Sequence, residues 1–385
     1  MQDSTRTFLK GILFPILLLS LAVPAGAAGE TPKVGGRIQV DWLASATGDA
    51  VEARFGALKT GAEFRRARMF IEGGLASQVK YKIEMDLAGG RVAFTDVFIS
   101  LERLPGVGTL RVGHQKEPFS LEELTSSRFI TFMERALPNV FAPARNTGLL
   151  FYNAVLQERV TWGAGAFREA DSSGNSIGSG GWNITARLTG LPWYQEKGRY
   201  LFHVGAAYTR KDPLDGVVRF RQRPEVRISP DLVDTKALEA DGVNIVGLES
   251  ALVVGPFSLQ GEYMSVGVDR PVGGSLRFQG YYVYASVFLT GEHRAYKKAS
   301  GAFDRTKPRR NFREEGGWGA WELAVRFSGL DLTDGDVQGG VLQDWTVGLN
   351  WYLNDHTRWM FNYVNARRKD VGTANYFMTR FQVDF

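Results

Sequence analysis

Apolar and polar side chains alternate with a period of two along most of this chain. Near its start, Ile38, Val40 and Trp42 alternate with Arg37, Gln39 and Asp41. Val79, Tyr81, Ile83, Met85 and Leu87 alternate with Lys80, Lys82, Glu84 and Asp86. The last segment repeats the pattern: Phe377, Thr379, Phe381, Val383 and Phe385 share one face, and Tyr376, Met378, Arg380, Gln382 and Asp384 the other. Successive side chains of a strand point to opposite faces, so these segments read as strands with one apolar and one charged face. Exposed on a soluble protein, such strands invite aggregation. In a transmembrane barrel they are required, with lipid outside and water inside.

Counting such segments from 34–43 to 374–385 gives about sixteen strands, an even number as bacterial single-chain barrels have. The predicted fold is an all-β, antiparallel transmembrane barrel. Tyr281, Tyr282 and Tyr284 blur the two faces of the segment 276–289. Tight turns are expected near Ala76, Pro105, Leu156, Pro256 and Asn354-Asp355, and long loops over 44–63, 115–146, 169–181 and 211–242. Barrels put short turns on the periplasmic side and long loops outside. The exception is 290–317, which parity assigns to the periplasmic side. Its Lys297, Lys298, Arg305, Lys307, Arg309, Arg310 and Arg313 would sit at the inner mouth.

Arg6 and Lys10 precede an apolar run from Gly11 to Val23, followed by Ala25-Gly26-Ala27. This reads as a cleaved secretory signal peptide over 1–28, leaving 29–385 as one barrel domain. The run is too short to span about 30 Å of hydrocarbon as a helix. The chain has no cysteine, which excludes disulfides and thiolate metal sites. Its net charge of +5 drops to +4 once Asp3, Arg6 and Lys10 are removed. So small an excess makes the placement of charge more informative than its amount. His114, His203, His293 and His356 fall in no catalytic motif. A nucleophile, base and orienting group therefore find no candidates, and no enzyme activity or cofactor is expected.

Two segments carry candidate chemistry. In 115–146, Ser120 is placed to cap a short helix, with Glu123 three residues on. Long loops with structure of their own are usually functional, so this one is expected to fold into the lumen and constrict it; the alternative is an external loop packed against a neighbouring subunit. In 211–242, Arg219, Arg221 and Arg223 recur at period two and point the same way if the segment is extended. Guanidinium groups bind phosphate through permanent charge and bidentate geometry; the alternative is a solvated loop edge. Arg37, Arg66, Arg68, Lys80, Lys82 and Arg111 fall on inward faces, accompanied by Glu72, Glu84, Asp86 and Asp96. Strict alternation turns Arg65 outward.

These residues resemble the phosphate-selective porin O and P family over essentially the whole mature chain. The resemblance is carried by Glu63-Phe64-Arg65-Arg66-Ala67-Arg68, by Gly113-His114-Gln115-Lys116-Glu117-Pro118-Phe119, and by Phe132-Met133-Glu134-Arg135-Ala136-Leu137-Pro138. Arg223-Pro224-Glu225 and Leu349-Asn350-Trp351-Tyr352 add to it. It implies a trimeric barrel of the bacterial outer membrane with a third loop folded into the pore. An arginine ladder on the fifth loop would lead inorganic phosphate to a central site. By position the ladder is Arg219, Arg221 and Arg223, and the site Arg37, Arg65, Arg66, Lys116 and Arg128; Arg65 needs a bulge or a loop position to serve. Diphosphate, arsenate or another anion, or weak general selectivity, are the alternatives. Outer-membrane lipid, lipopolysaccharide and the barrel-assembly machinery, for which terminal aromatics like Phe385 are a mark, are the implied partners; nucleic acid is not.

Overall fold

The computed structural model describes residues 31–46, 48–314 and 316–385. The signal peptide expected over 1–28 lies outside the described residues. Sixteen antiparallel strands close into a barrel. The first eight are β1 Lys33–Ala46, β2 Gly61–Ala76, β3 Val79–Asp86, β4 Ala93–Leu104, β5 Gly108–Lys116, β6 Arg145–Val155, β7 Val160–Arg168 and β8 Trp182–Gln195. The second eight are β9 Tyr200–Asp212, β10 Gly242–Val254, β11 Phe257–Asp269, β12 Leu276–Phe288, β13 Ala320–Asp334, β14 Val337–Tyr352, β15 Thr357–Arg368 and β16 Gly372–Asp384. Each pairs with its sequence neighbours, and β1 closes the ring on β16, Arg37 opposite Asp384 and Trp42 opposite Thr379. Closure leaves no unpaired edge, the condition for a sheet in lipid.

The outer wall is apolar: Phe64, Trp42, Ile184, Leu188 and Phe377 are exposed on it. The three blurred tyrosines of β12 separate cleanly. Tyr281 faces outward and Tyr282 and Tyr284 are buried inside, their rings stacked with centroids 6.0 Å apart.

Two expectations need correction. Short and long connections do not alternate around the whole ring: at the long-loop end, the last three connections are only 270–275, 335–336 and 369–371. Thr333 pairs with Gln338 and Asp334 with Val337, so the β13–β14 hairpin closes on a turn of two residues. The polar face of β16 also does not meet open water. Arg380 is fully buried against Asp41, at 2.6 and 2.7 Å, and against the carbonyl oxygen of Met133.

That burial reflects where the core sits, which is inside the barrel. Phe119, Met133, Leu137 and Phe141 from 117–144, with Phe220, Val226 and Leu232 from 213–241, pack on Ile245, Phe278, Leu330, Met360 and Tyr376 of the wall. Gly247 makes room for this contact, since a Cβ there would lie 2.7 Å from Cζ of Phe119. At the short-turn end, the segment 289–319 also enters the barrel. Tyr296 and Lys297 pair with Phe303 and Ala302, and Arg187 donates to the carbonyl of Gly301 at 2.8 Å.

Candidate anion pathway

The loop 117–144 crosses the lumen because both of its sides find polar partners. On one side the buried Glu117 carboxylate accepts from Asn146 at 2.7 Å, Asn183 at 2.8 Å and Thr185. The short helix Leu121–Leu124 begins at Ser120, whose hydroxyl accepts from the Glu123 amide at 3.1 Å. The amides of Leu121 and Glu122 donate to Glu262 at 3.1 and 2.7 Å. On the far side, Arg358 donates to the carbonyl of Ile130 at 2.9 Å, Asn350 to Thr131 at 2.8 Å and Arg326 to Glu134 at 3.0 Å. Buried backbone groups demand partners, and the polar inner faces of β13–β16 supply them. In β13–β16 the polar half of the alternating pattern thus holds a loop rather than facing a channel.

The loop 213–241 folds as a hairpin, with Val217–Val218 on Leu238–Glu239 and Arg221–Gln222 on Val233–Asp234. Val218 and Phe220 are buried, leaving Arg219, Arg221 and Arg223 on the opposite face. Carboxylates shadow all three. Arg219 Nε lies 2.8 Å from Asp234, and its hydrogen bonds hold that carboxyl well below the usual range. Arg221 and Arg223 share Asp231, at 3.5 and 3.4 Å. Farther along, Glu225 accepts from Arg326 at 3.0 Å and Ser328 at 2.6 Å, and Arg326 also reaches Glu122 at 3.2 Å. One buried guanidinium thereby ties both loops to the wall.

Between the loops and β2 lies an outer chamber of about 360 Å³. Arg65, Arg66, Arg135, Arg221, Arg223 and Arg227 line it, with Glu134, Glu225 and Asp231 as counter-charges. Arg65 enters through a bulge. Gln39 of β1 pairs with Arg66 and Val40 with Phe64, so Arg65 has no partner across the ladder. It turns inward to Glu134 at 2.6 and 2.8 Å. Arg66 differs from its neighbours. Its side chain is buried, its Nη1 donates to Gln39 at 2.9 Å, and its Nε has no partner among the described residues. Among the described residues no carboxylate comes within salt-bridge distance of it.

Below this chamber comes a band of paired charges: Arg37 with Glu84 at 2.8 Å, Arg68 with Asp86 at 2.7 Å and Arg145 with Asp96 at 2.8 Å. Lys116 and Arg135 share Glu123, at 3.0 and 3.1 Å. On the short-turn side of the band, an inner chamber of about 800 Å³ includes Lys80, Lys82, Arg111, Lys116 and Lys297. The five residues of the expected central site are therefore spread along the path. Arg65 and Arg66 face the outer chamber and Lys116 the inner one. Arg37 sits within the paired band, and Arg128 lies 3.6 Å from Asp384 beside Arg305 at the short-turn end. Arg219 lines neither chamber. Sequence reasoning missed Arg135 and Arg145. The first stood in plain view within Met133-Glu134-Arg135, whereas the second opens β6 where no alternation yet exists.

A family model described as "Phosphate-selective porin O and P" matches residues 33–385. The chain belongs to this porin family. Porin O of Pseudomonas aeruginosa is 27% identical over 399 residues, covering 92% of this chain and 88% of that protein. An uncharacterised protein of Caulobacter vibrioides is 34% identical over 343 residues, covering 86% of this chain and 67% of the relative. Among solved structures, the anion-selective porin from Comamonas acidovorans superposes with a TM-score of 0.62 at 13% identity, covering 92% of this chain and 100% of that one. The trimer form of OmpT from Vibrio cholerae gives 0.58 at 10% identity, covering 93% and 100%. These likenesses establish the barrel of an outer-membrane channel. The segment 289–319 lies at the short-turn end of this porin.

Proposed function

We propose that this porin is a passive, anion-selective channel for phosphate, acting as a homotrimer after cleavage of the signal peptide at 1–28. Arg66 carries the reading. A buried guanidinium without a carboxylate is costly, and here it borders a water-accessible chamber with five further arginines. A phosphate entering that chamber supplies the missing negative charge and accepts bidentate hydrogen bonds. Arg221 and Arg223 draw the anion in from outside, Arg65 and Arg66 hold it, and Lys116 receives it beyond the paired band. Several moderate sites suit conduction better than one tight site. The trimer form of OmpT supports the oligomer, and the exposed apolar wall supports contact with outer-membrane lipid and lipopolysaccharide.

The test is conductance in a planar bilayer. Anion preference and saturable block of chloride current by phosphate are expected, with block lost in Arg66→Gln. Cation preference, or block untouched by that substitution, would sink the proposal. A second reading, weak selectivity among phosphate, diphosphate, arsenate and other anions, is favoured by one observation: Asp231 and Asp234 neutralise the ladder. Competition between orthophosphate and diphosphate for single-channel block separates the two.

A further inference from the structure

The inner chamber is built differently from the outer one. It is more than twice as large, with ample room for an organic ligand, whose pockets measure about 300–1,000 Å³. Part of its wall is apolar, formed by Pro118, Leu124, Leu150 and the ring of Phe98. Set into that wall is Arg111. Its guanidinium lies 4.0 Å from the centroid of Phe98 and 5.0 Å from that of Tyr152. It donates through Nε to Ser100 at 3.3 Å and through Nη2 to the Tyr152 hydroxyl at 2.9 Å.

Most cations around this chamber are paired: Lys80 with Glu102 at 3.3 Å, Lys116 with Glu123 at 3.0 Å and Arg187 with Glu249. Arg111 and Lys297 have no carboxylate partner among the described residues, and Arg111 Nη1 has no hydrogen-bond partner there either. Two rings and two hydroxyls thus fix a guanidinium whose charge nothing nearby neutralises. A ligand that seats an oxyanion on Arg111 lays its remaining body along Phe98, Leu150 and Leu124. Orthophosphate has no such body.

We infer that the inner chamber is a second binding site, for anions that carry an aromatic or comparably apolar body behind a phosphoryl or carboxylate head. Arg111 reads the head, Lys297 adds charge from the segment 289–319, and the apolar wall reads the body. This deepens the anion-channel proposal and rests on it, but its test is separable. Calorimetry on the intact porin in detergent would compare phenyl phosphate, benzoate, orthophosphate and benzyl alcohol. Phenyl phosphate should bind at least about tenfold more tightly than orthophosphate, as burial of an apolar body adds to the ion contact.

Arg111→Gln should weaken phenyl phosphate about tenfold or more, the loss of a charge-assisted hydrogen bond, while orthophosphate block of chloride current moves less than twofold. Lys297→Gln, on an exposed position, should weaken it by a smaller factor and guards against misfolding of the first variant. Benzoate binding as tightly as phenyl phosphate assigns the head to oxyanions in general. Equal binding of benzyl alcohol, or of orthophosphate, overturns the inference. Phenyl phosphate binding through Arg111 in a cation-preferring channel would leave this site standing and remove the conduction proposal instead.

Discussion

Replacing Asp231 with asparagine isolates the role of the shared carboxylate in the outer chamber. Asp231 lies 3.5 Å from Arg221 and 3.4 Å from Arg223, so an anion held by these groups takes its place beside a like charge. At about 4 Å, two unit charges interact by roughly 1 kcal/mol in water and about 4 kcal/mol at an effective dielectric near 20. The side chain of Arg221 is 58% exposed, so the aqueous figure applies. Removing the carboxylate should therefore tighten phosphate by about 1 kcal/mol, roughly fivefold in affinity. Screening provides an internal control, since the Debye length is about 10 Å at 0.1 M salt and about 3 Å at 1 M. Single-channel chloride current would be measured with phosphate added on the long-loop side. In 0.1 M salt the half-blocking concentration of Asp231→Asn should fall roughly fivefold, and in 1 M salt the difference should shrink toward nothing. An unchanged or higher half-blocking concentration in dilute salt would show that Asp231 does not compete with the anion.

Lys116→Glu should abolish anion preference, because it sets a second carboxylate against Glu123, now 3.0 Å from Nζ; a reversal potential still on the anion side would place the selective field elsewhere. Arg326→Met leaves Glu122 and Glu225 buried without their cation, a loss of about 3–5 kcal/mol. It should lower the temperature of the heat-induced gel-mobility shift and make the current noisy, and Glu122→Gln with Glu225→Gln should restore part of both. Asp234 has its folded pKa depressed by Arg219, so its contribution to the hairpin is present above the ordinary carboxylate value of about 3.9 and is lost only as pH falls through the lower folded value. Hydrogen exchange at the Val218 and Leu238 amides should accordingly be equally protected at pH 7 and pH 5 once corrected for intrinsic rates. Asp234→Asn should lose that protection at both.

The barrel was legible because its signal is local. Each residue of β1 or β16 declares its face through polarity, and sixteen repetitions average out blurred segments such as β12. Ser120 as a helix cap was legible for the same reason. The lumen was not, since a period of two separates inside from outside but does not say what the inside meets. Arg380, Asn350 and Arg358 look like pore lining in sequence, yet they serve the backbone of 130–133. Counter-charges were half visible. Glu84, Asp86 and Asp96 could be seen to accompany the inward lysines and arginines, but the sharing of Asp231 by Arg221 and Arg223 requires the hairpin to fold. The inner chamber was invisible for a further reason. Phe98, Arg111 and Tyr152 come from three strands, and only the ring of pairings assembles them.

The bulge at Arg65 has a genetic consequence. Strand phase is a matter of parity, so the charge facing the outer chamber is set by the number of residues as well as by their kind. With the extra residue in place, Phe64 faces lipid while Arg65 and Arg66 both serve the pore. Deleting Arg65 would absorb the bulge and leave a regular strand in which Phe64 still faces lipid and Arg66 alone of the pair faces the outer chamber. A three-nucleotide deletion, with every other residue of the pore retained, is thus enough to lower the positive charge of the outer chamber by one unit. An insertion at the matching point of a relative that has only one arginine there would raise it.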